Sequence, residues 1–351
     1  MRVLPLLVLF LVLATAPSHA QETRVVLVTL DGLRWEEVFR GMDPSMTEDE
    51  SLLAEFGVGD AAERRTTLMP WLWRTLATQG VLLGNRQLGS TGRVTNGHVF
   101  SYPGYNEILT GRVDERIDSN DKVPNPNVTV LEWLQTRAGV RAAAFGSWDV
   151  FPYIINEERS GIPVNAGFEP SLDPERSERE SFLNELQAQI PSPWGTVRLD
   201  AFTHHYALEY MKRASPEVVY ISYGETDDFA HNDNFPAYIR AARNTDAFLQ
   251  GLWTFLQTDS AYAGRTSLII TTDHGRGSGD GWVGHGTGEE WAGSEYIWLA
   301  ALGPSIPAGG ELRGVGFDQA QVAATVAALM GFDFTITGAA PPISAVVAPR
   351  D

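Results

Sequence analysis

There is no cysteine among the 351 residues of the chain. That excludes disulfides, a thiolate nucleophile, iron–sulfur clusters and cysteine-ligated zinc. Basic residues are few: 26 Lys+Arg stand against 44 Asp+Glu, a formal net charge of −18. Nucleic-acid binding by charge is excluded with them, because phosphate backbones are held by Lys and Arg. No serine has glycines two residues away on both sides, so a strand–nucleophile–helix elbow is absent. No histidine is followed by glutamate, which removes the zincin helix. Apolar runs of membrane-spanning length are missing too.

The longest apolar run is short and lies at the start. Arg2 precedes Val3 to Ala14, and Ser18-His19-Ala20 comes before Gln21. A positive residue, an apolar stretch and small residues before the cut describe a signal peptide over 1–20. The expected mature protein, 21–351, is exported, periplasmic or secreted, with no membrane attachment after cleavage. An exported chain without cysteine fits a bacterial periplasm or exterior better than a disulfide-rich secretion.

What remains has an ordinary globular composition, 43% hydrophobic and 20% charged. Six short β-branched runs read as strands: Arg24 to Leu30, Val81 to Leu83, Val140 to Phe145, Val218 to Tyr223, Ser267 to Thr272 and Tyr296 to Leu302. They are apolar nearly throughout, as strands buried on both faces of a mostly parallel sheet are. Helical patterns lie between them, at Pro70 to Gln79, Thr129 to Arg137 and Ala237 to Gln257. In the last, Tyr238, Ala241, Thr245, Leu249, Leu252 and Phe255 form one inward stripe. The alternation predicts an α/β fold, an αβα sandwich, in a single domain. Gly41 to Arg65 and Ile154 to Asp200 read as surface insertions, the second as a possible small cap over the site.

Histidine is scarce, with seven in all. Three stand near expected strand ends: His231, four residues after Asp227; His274, in Asp273-His274; and His285, in Gly284-His285-Gly286. Asp31 closes the first strand. In open α/β sheets ligands gather beyond the carboxyl ends of the strands. Imidazole and carboxylate donors without thiolates suit zinc and similar divalent ions. Asp31, Asp227, His231, Asp273, His274 and His285 together could hold two ions, a pairing that serves in-line displacement. Asp228 competes with Asp227 for a place beside His231, since spacings of three and four share a helix face. His204-His205 is a weaker pair, within the amphipathic pattern Ala201 to Met211.

Ser101, in Phe100-Ser101-Tyr102-Pro103-Gly104-Tyr105, is the candidate nucleophile. A serine hydroxyl needs activation, which metal coordination supplies without a base. Pro103 would set a turn before a short helix, and helix N-terminal amides could help hold an anion there. Gly275, Gly277, Gly279 and Gly281 lead towards His285 rather than into a helix, so they read as a flexible loop beside the metals, not a nucleotide loop.

The ordered set Val28-Thr29-Leu30-Asp31-Gly32, Ser101-Tyr102-Pro103, Thr110-Gly111, Asp227-x-x-x-His231, Asp273-His274-Gly275 and Gly284-His285-Gly286 resembles the alkaline phosphatase superfamily. Within it, the chain looks most like the type I phosphodiesterase/nucleotide pyrophosphatase branch. The resemblance implies two zinc ions. Asp227, His231 and His285 would hold one. Asp31, Asp273 and His274 would hold the other, with Ser101 beside it. The phosphodiesterase branch reads roughly Thr-x-Pro-Asn-His here, so Gly104 and Tyr105 stand in the Asn and His places, with Asn106 next to them. The sulfatases of the superfamily read Cys/Ser-x-Pro-x-Arg, and Tyr105 replaces that arginine.

The expected function is hydrolysis of a small phosphoric ester, diester or monoester, through a phosphoserine at Ser101. The alternatives are a sulfuric ester hydrolase or a phosphotransferase of the same superfamily, or a non-catalytic metal- or ligand-binding relative.

Overall fold

The computed structural model describes residues 23–347. The expected signal peptide lies outside the described residues.

The strands are β1 (Arg24–Leu30), β2 (Val81–Leu83), β3 (Thr91–Arg93), β4 (Ala142–Gly146), β5 (Val164–Ala166), β6 (Val218–Tyr223), β7 (Thr266–Thr271), β8 (Tyr296–Ile297), β9 (Leu299–Leu302), β10 (Gly310–Glu311) and β11 (Gly316–Asp318). Eight of them form the central sheet in the order β10-β2-β9-β7-β1-β6-β4-β5. β1 lies between β6 and β7 and is parallel to both, Val28 pairing with Ile221 on one side and Ile270 on the other. Only β9 runs against the rest of this sheet.

Both sheet faces are covered, as the continuous apolar runs require. Val26, Val28 and Leu30 of β1 enter one core with Phe202, Tyr206, Tyr238, Leu249 and Leu252. Val25 and Leu27 enter the other with Tyr102, Tyr105, Leu134, Val322 and Val326. Alternation along one strand thus feeds two helical layers, and the αβα sandwich follows. Among the described residues no helix is long and apolar enough to cross a membrane.

Several boundaries differ from expectation. The run Tyr296 to Leu302 is not one strand: β8 joins β3 in a separate three-stranded sheet, and β9 joins the central one. Trp298 sits at the break, fully buried, its indole N–H donating to Leu33 O at 2.9 Å. Within Ile154 to Asp200, β5 extends the central sheet in register with β4, so this part is not a surface insertion. Further on, the ring of Trp194 packs against Phe229 at 4.7 Å. A 340 Å³ cavity in this region is lined by residues such as Tyr206, Tyr210 and Arg213, with none of the candidate metal donors among them. In the helix Phe235–Thr258 the buried stripe ends at Leu256, and Phe255 is only half-buried.

Candidate metal centre

The carboxyl ends of β1, β6 and β7 are adjacent because these strands are parallel neighbours. Asp31 follows β1, the helix Glu225–His231 follows β6 and carries Asp227 and His231, and Asp273-His274 follows β7. His285 comes from the loop between β7 and β8, after a 3-10 turn over Gly279–Val283. Ser101 is the first residue of the helix Ser101–Thr110.

The structure brings these residues together. His274 Nε2 lies 3.3 Å from Asp31 Oδ1, 3.4 Å from Asp273 Oδ2 and 3.5 Å from Ser101 Oγ. His231 Nε2 lies 3.1 Å from Asp227 Oδ2 and 3.0 Å from His285 Nε2. Asp227 stands between the two groups, its Oδ1 being 4.0 Å from His274 Nε2 and 3.7 Å from His285 Nε2. By distance alone the donor groups are Asp227-His231-His285 and Asp31-Asp227-His274. The rings of His274 and His285 stack with centroids 3.8 Å apart.

Divalent ions fit this donor set. Asp31 Oδ1 and Asp273 Oδ2 are buried with no hydrogen-bond donor, which is costly unless a cation faces them. Backbone carbonyls leave two of the imidazoles facing inward through Nε2. His274 Nδ1 lies 2.9 Å from Gly275 O, and His285 Nδ1 lies 3.1 Å from Val99 O. With Nδ1–H donating in each, Nε2 carries the lone pair a metal needs.

Electrostatics follow from burial and crowding. Burial, then the charge of Asp227, pushes Asp31 up to about 7. Burial likewise raises Asp273 well above the carboxylate range, with Asp31 and Asp227 adding to it. For Asp227 burial is the largest single influence and pushes upward, but the Arg276 guanidinium, in a buried ion pair with it, acts together with His231 and His285 to hold its carboxyl well below the usual range. Burial pushes His274 down to about 4 and His285 down to about 3, so both rings are neutral near pH 7. Neutral imidazoles are the form that binds metal.

Three residues near the site had no role assigned from the sequence, although two of them, Gly104 and Tyr105, stood out there for the residues they replace. Tyr105, one helical turn after Ser101, donates from its hydroxyl to Asp31 Oδ2 at 2.7 Å. Behind it, Ser222 Oγ donates to the Tyr105 oxygen at 3.2 Å and Thr29 Oγ1 donates to Ser222 Oγ at 3.0 Å. This buried relay gives Asp31 Oδ2 its partner and leaves Oδ1 free towards His274. Arg276, two residues after His274, also donates to Trp282 O at 2.7 Å and Val283 O at 2.5 Å, holding the chain leading to His285. Gly104 lets the helix that begins with Ser101 approach Asp273, since a Cβ there would lie 2.5 Å from Asp273 O. Its spacing of four from Ser101, and its place where the resembled families carry His or Arg, were the sequence signals for Tyr105.

Other candidates fall outside. Asp228 is half-buried and belongs to neither donor group; burial and then Asp227 push it up to about 8. His204 is buried, stacked on Phe248 at 4.7 Å, with Nδ1 2.8 Å from Tyr223 OH, and His205 lies beside it. Asn106 is not turned to the centre. Its Oδ1 accepts from Asn125 at 3.2 Å and Asn127 at 3.0 Å, and its Nδ2 donates to Arg112 O at 3.2 Å. The helix N-terminus is also less open than expected: Pro103 has no N–H, and Tyr102 N–H donates to Asn120 Oδ1 at 3.0 Å.

No family profile matches the chain, and no curated protein matches it in sequence. Solved structures do match. A protein in the alkaline phosphatase superfamily from Vibrio parahaemolyticus superposes with a TM-score of 0.56 at 14% identity, covering 93% of this chain and 71% of that one. The fold is that of the alkaline phosphatase superfamily. Murine ectonucleotide pyrophosphatase/phosphodiesterase 5, in complex with AMP, gives 0.57 at 13% identity, over 92% of this chain and 97% of its own. A 2-O GAG sulfatase gives 0.59 at 12% identity, over 92% and 73%. At such identities the likeness is one of fold. The alkaline phosphatase fold has the layer order and the mostly parallel sheet that the sequence predicts.

Proposed function

We propose that this chain is an exported two-metal hydrolase of phosphoric esters with Ser101 as nucleophile. The observation that carries the reading is the placement of Ser101 Oγ 3.5 Å from His274 Nε2, beside two buried carboxylate oxygens without donors. Asp227, His231 and His285 would hold one ion, and Asp31, Asp273 and His274 the other; nitrogen and oxygen donors without sulfur favour zinc. When bound, such ions lower the pKa of a coordinated hydroxyl and stabilise a leaving oxygen.

The chain's own residues set the geometry. Ser101, fixed as the first residue of a wholly buried helix, presents Oγ to phosphorus. Ser101 Oγ gives up its proton to solvent as the new Oγ–P bond forms. The P–O bond to the ester oxygen breaks, and that oxygen leaves with the electron pair to take up a proton from water. Water then cleaves the phosphoserine and Ser101 regains its proton. Tyr105 keeps Asp31 oriented throughout, and Arg276 does the same for Asp227.

Sulfuric ester hydrolysis is the second reading, and Ser101-x-Pro103 favours it equally. Tyr105 fills the place of the sulfatase arginine and is engaged with Asp31, which weighs against that chemistry. Turnover of nitrophenyl phosphate, bis-nitrophenyl phosphate and nitrophenyl sulfate, measured side by side, separates the readings. Ser101→Ala should keep both ions by elemental analysis yet lose several orders of magnitude in turnover. Acid quench of the wild type should leave phosphate on the peptide containing Ser101. Wild-type turnover in Ser101→Ala, with no phosphate trapped, would falsify the assignment. A formylglycine-sized mass change at Ser101 would move the chain to the sulfatases.

A further inference from the structure

Among the described residues, Val99, Asn156, Ser215 and Asp233 have positive φ without being glycine. Val99, at φ 54°, is the one β-branched residue of the four. A β-branched residue is strongly disfavoured there, because its two Cγ atoms crowd the backbone. The surroundings hold it. Asn96 Oδ1 accepts from His98 N at 3.1 Å and from Val99 N at 2.9 Å, closing a tight turn. Asn96 is in turn tied to the nucleophile's own helix: its N and Nδ2 donate to Glu107 Oε2 at 3.0 and 2.9 Å. Thr95 Oγ1 donates to Glu107 Oε1 at 2.6 Å. The Val99 side chain is buried in the core beneath that helix.

The outcome of this conformation is the direction of one carbonyl. Val99 O lies 3.1 Å from His285 Nδ1, while His274 stacks on the His285 ring. Two residues on stands Ser101. We propose that Val99 is a positioning residue whose left-handed backbone aims its carbonyl at His285. It thereby fixes the ring so that Nε2 faces Asp227 and His231, and couples this donor to Ser101. Strained backbone gathers at functional sites when surrounding contacts over-determine it, as the Asn96–Glu107 anchor does here. The proposal rests on reading His285 as a metal donor.

The test separates conformation from packing. Val99→Gly and Val99→Ala both delete the core contact, but only glycine keeps φ positive without strain. Imidazole ¹⁵N resonances of the metal-free protein report which ring nitrogen of His285 carries the proton, and competition with a chromophoric chelator reports zinc affinity. Wild type and Val99→Gly should show His285 protonated at Nδ1, with the affinity of its group within about threefold of each other. Val99→Ala should mix the two tautomers and weaken that group by about 10–100-fold, the usual loss for an outer partner of a metal-ligating histidine. Asn96→Ala, which frees the same turn, should follow Val99→Ala and serves if the latter folds poorly. Equal behaviour of the glycine and alanine variants, in both readouts, overturns the proposal. If the wild type takes up no zinc, the metal reading fails, and the tautomers alone decide whether Val99 positions the ring.

Discussion

The Tyr105 hydroxyl donates to Asp31 Oδ2 at 2.7 Å, from the same helix that begins with Ser101. One helix therefore carries the candidate nucleophile and the group that orients a candidate metal donor just after β1. Tyr105→Phe would leave that buried carboxylate oxygen without a donor. The expected loss is about 1–3 kcal/mol of stability in the metal-free protein. Urea denaturation with a chelator present measures it, and saturating zinc should return part of the loss.

Gly104→Ala should destabilise by about 1–3 kcal/mol, because an added methyl meets a backbone carbonyl rather than a flexible side chain. The carbonyl is that of Asp273, so zinc affinity should fall with stability. Gly104→Asn, which introduces a larger side chain at the same position, should be worse on both counts. Tolerance of asparagine, judged by an unchanged urea midpoint, would show that the helix can move away.

Arg276→Met should cost the metal-free protein about 3–5 kcal/mol, the usual penalty for leaving one buried charge unpaired. The charge is that of Asp227, which Arg276 neutralises from a fully buried side chain. Zinc offers Asp227 another counter-charge. The gap between variant and wild type should narrow when urea denaturation is repeated with excess zinc, whereas a constant gap would mean Arg276 only supports the loop.

Stability of the metal-free protein should fall as pH rises from about 6.5 to 8. Burial holds Asp31 at about 7, Asp228 at about 8 and Glu225 at about 8. In the unfolded chain such carboxyls titrate near 4. The folded state therefore binds protons in this window that the unfolded state has released, and stability is lost as those protons leave. His274 and His285, held at about 4 and about 3, act in the opposite sense, but only below about 6.5, where unfolded histidines take up protons. Zinc affinity should rise over the same window, since Asp31 and Asp273 must be deprotonated to bind it. Urea midpoints with chelator, and zinc titrations, at pH 6.5 and 8 check both signs.

The sandwich was readable because its strands are apolar on both faces and its helices carry regular stripes. Strand register, not composition, split Tyr296 to Leu302, and nothing local to that run marks Trp298 as a crossing between sheets. The Asp/His cluster was readable because those residues stand at the ends of buried strands. Their partners were not. Tyr105 looks like a core aromatic, and its hydroxyl finds Asp31 only when helix and strand pack. Arg276 follows Gly275 in a glycine-rich stretch that reads as loop, and its pairing with Asp227 spans 49 positions. Asn106 was open in sequence because a short polar residue near a nucleophile can face either way. The asparagines at 125 and 127 decide it.

The two donor groups differ in how far they lie from water. The His274 and Asp273 side chains are 0% exposed, whereas that of His231 is 45% exposed. Exchange of an ion needs its donors to be released one after another, with water or a competing ligand stepping in. At the rim His231 can swing away alone; in the interior the strand ends themselves must part. If both groups are loaded as proposed, the two ions should be held with different lifetimes. A brief exposure to chelator would strip the outer one and leave a half-loaded protein that persists. Slow return of the outer ion would then be a matter of supply in the surrounding medium, and the inner ion would travel with the folded chain from the time it was first acquired.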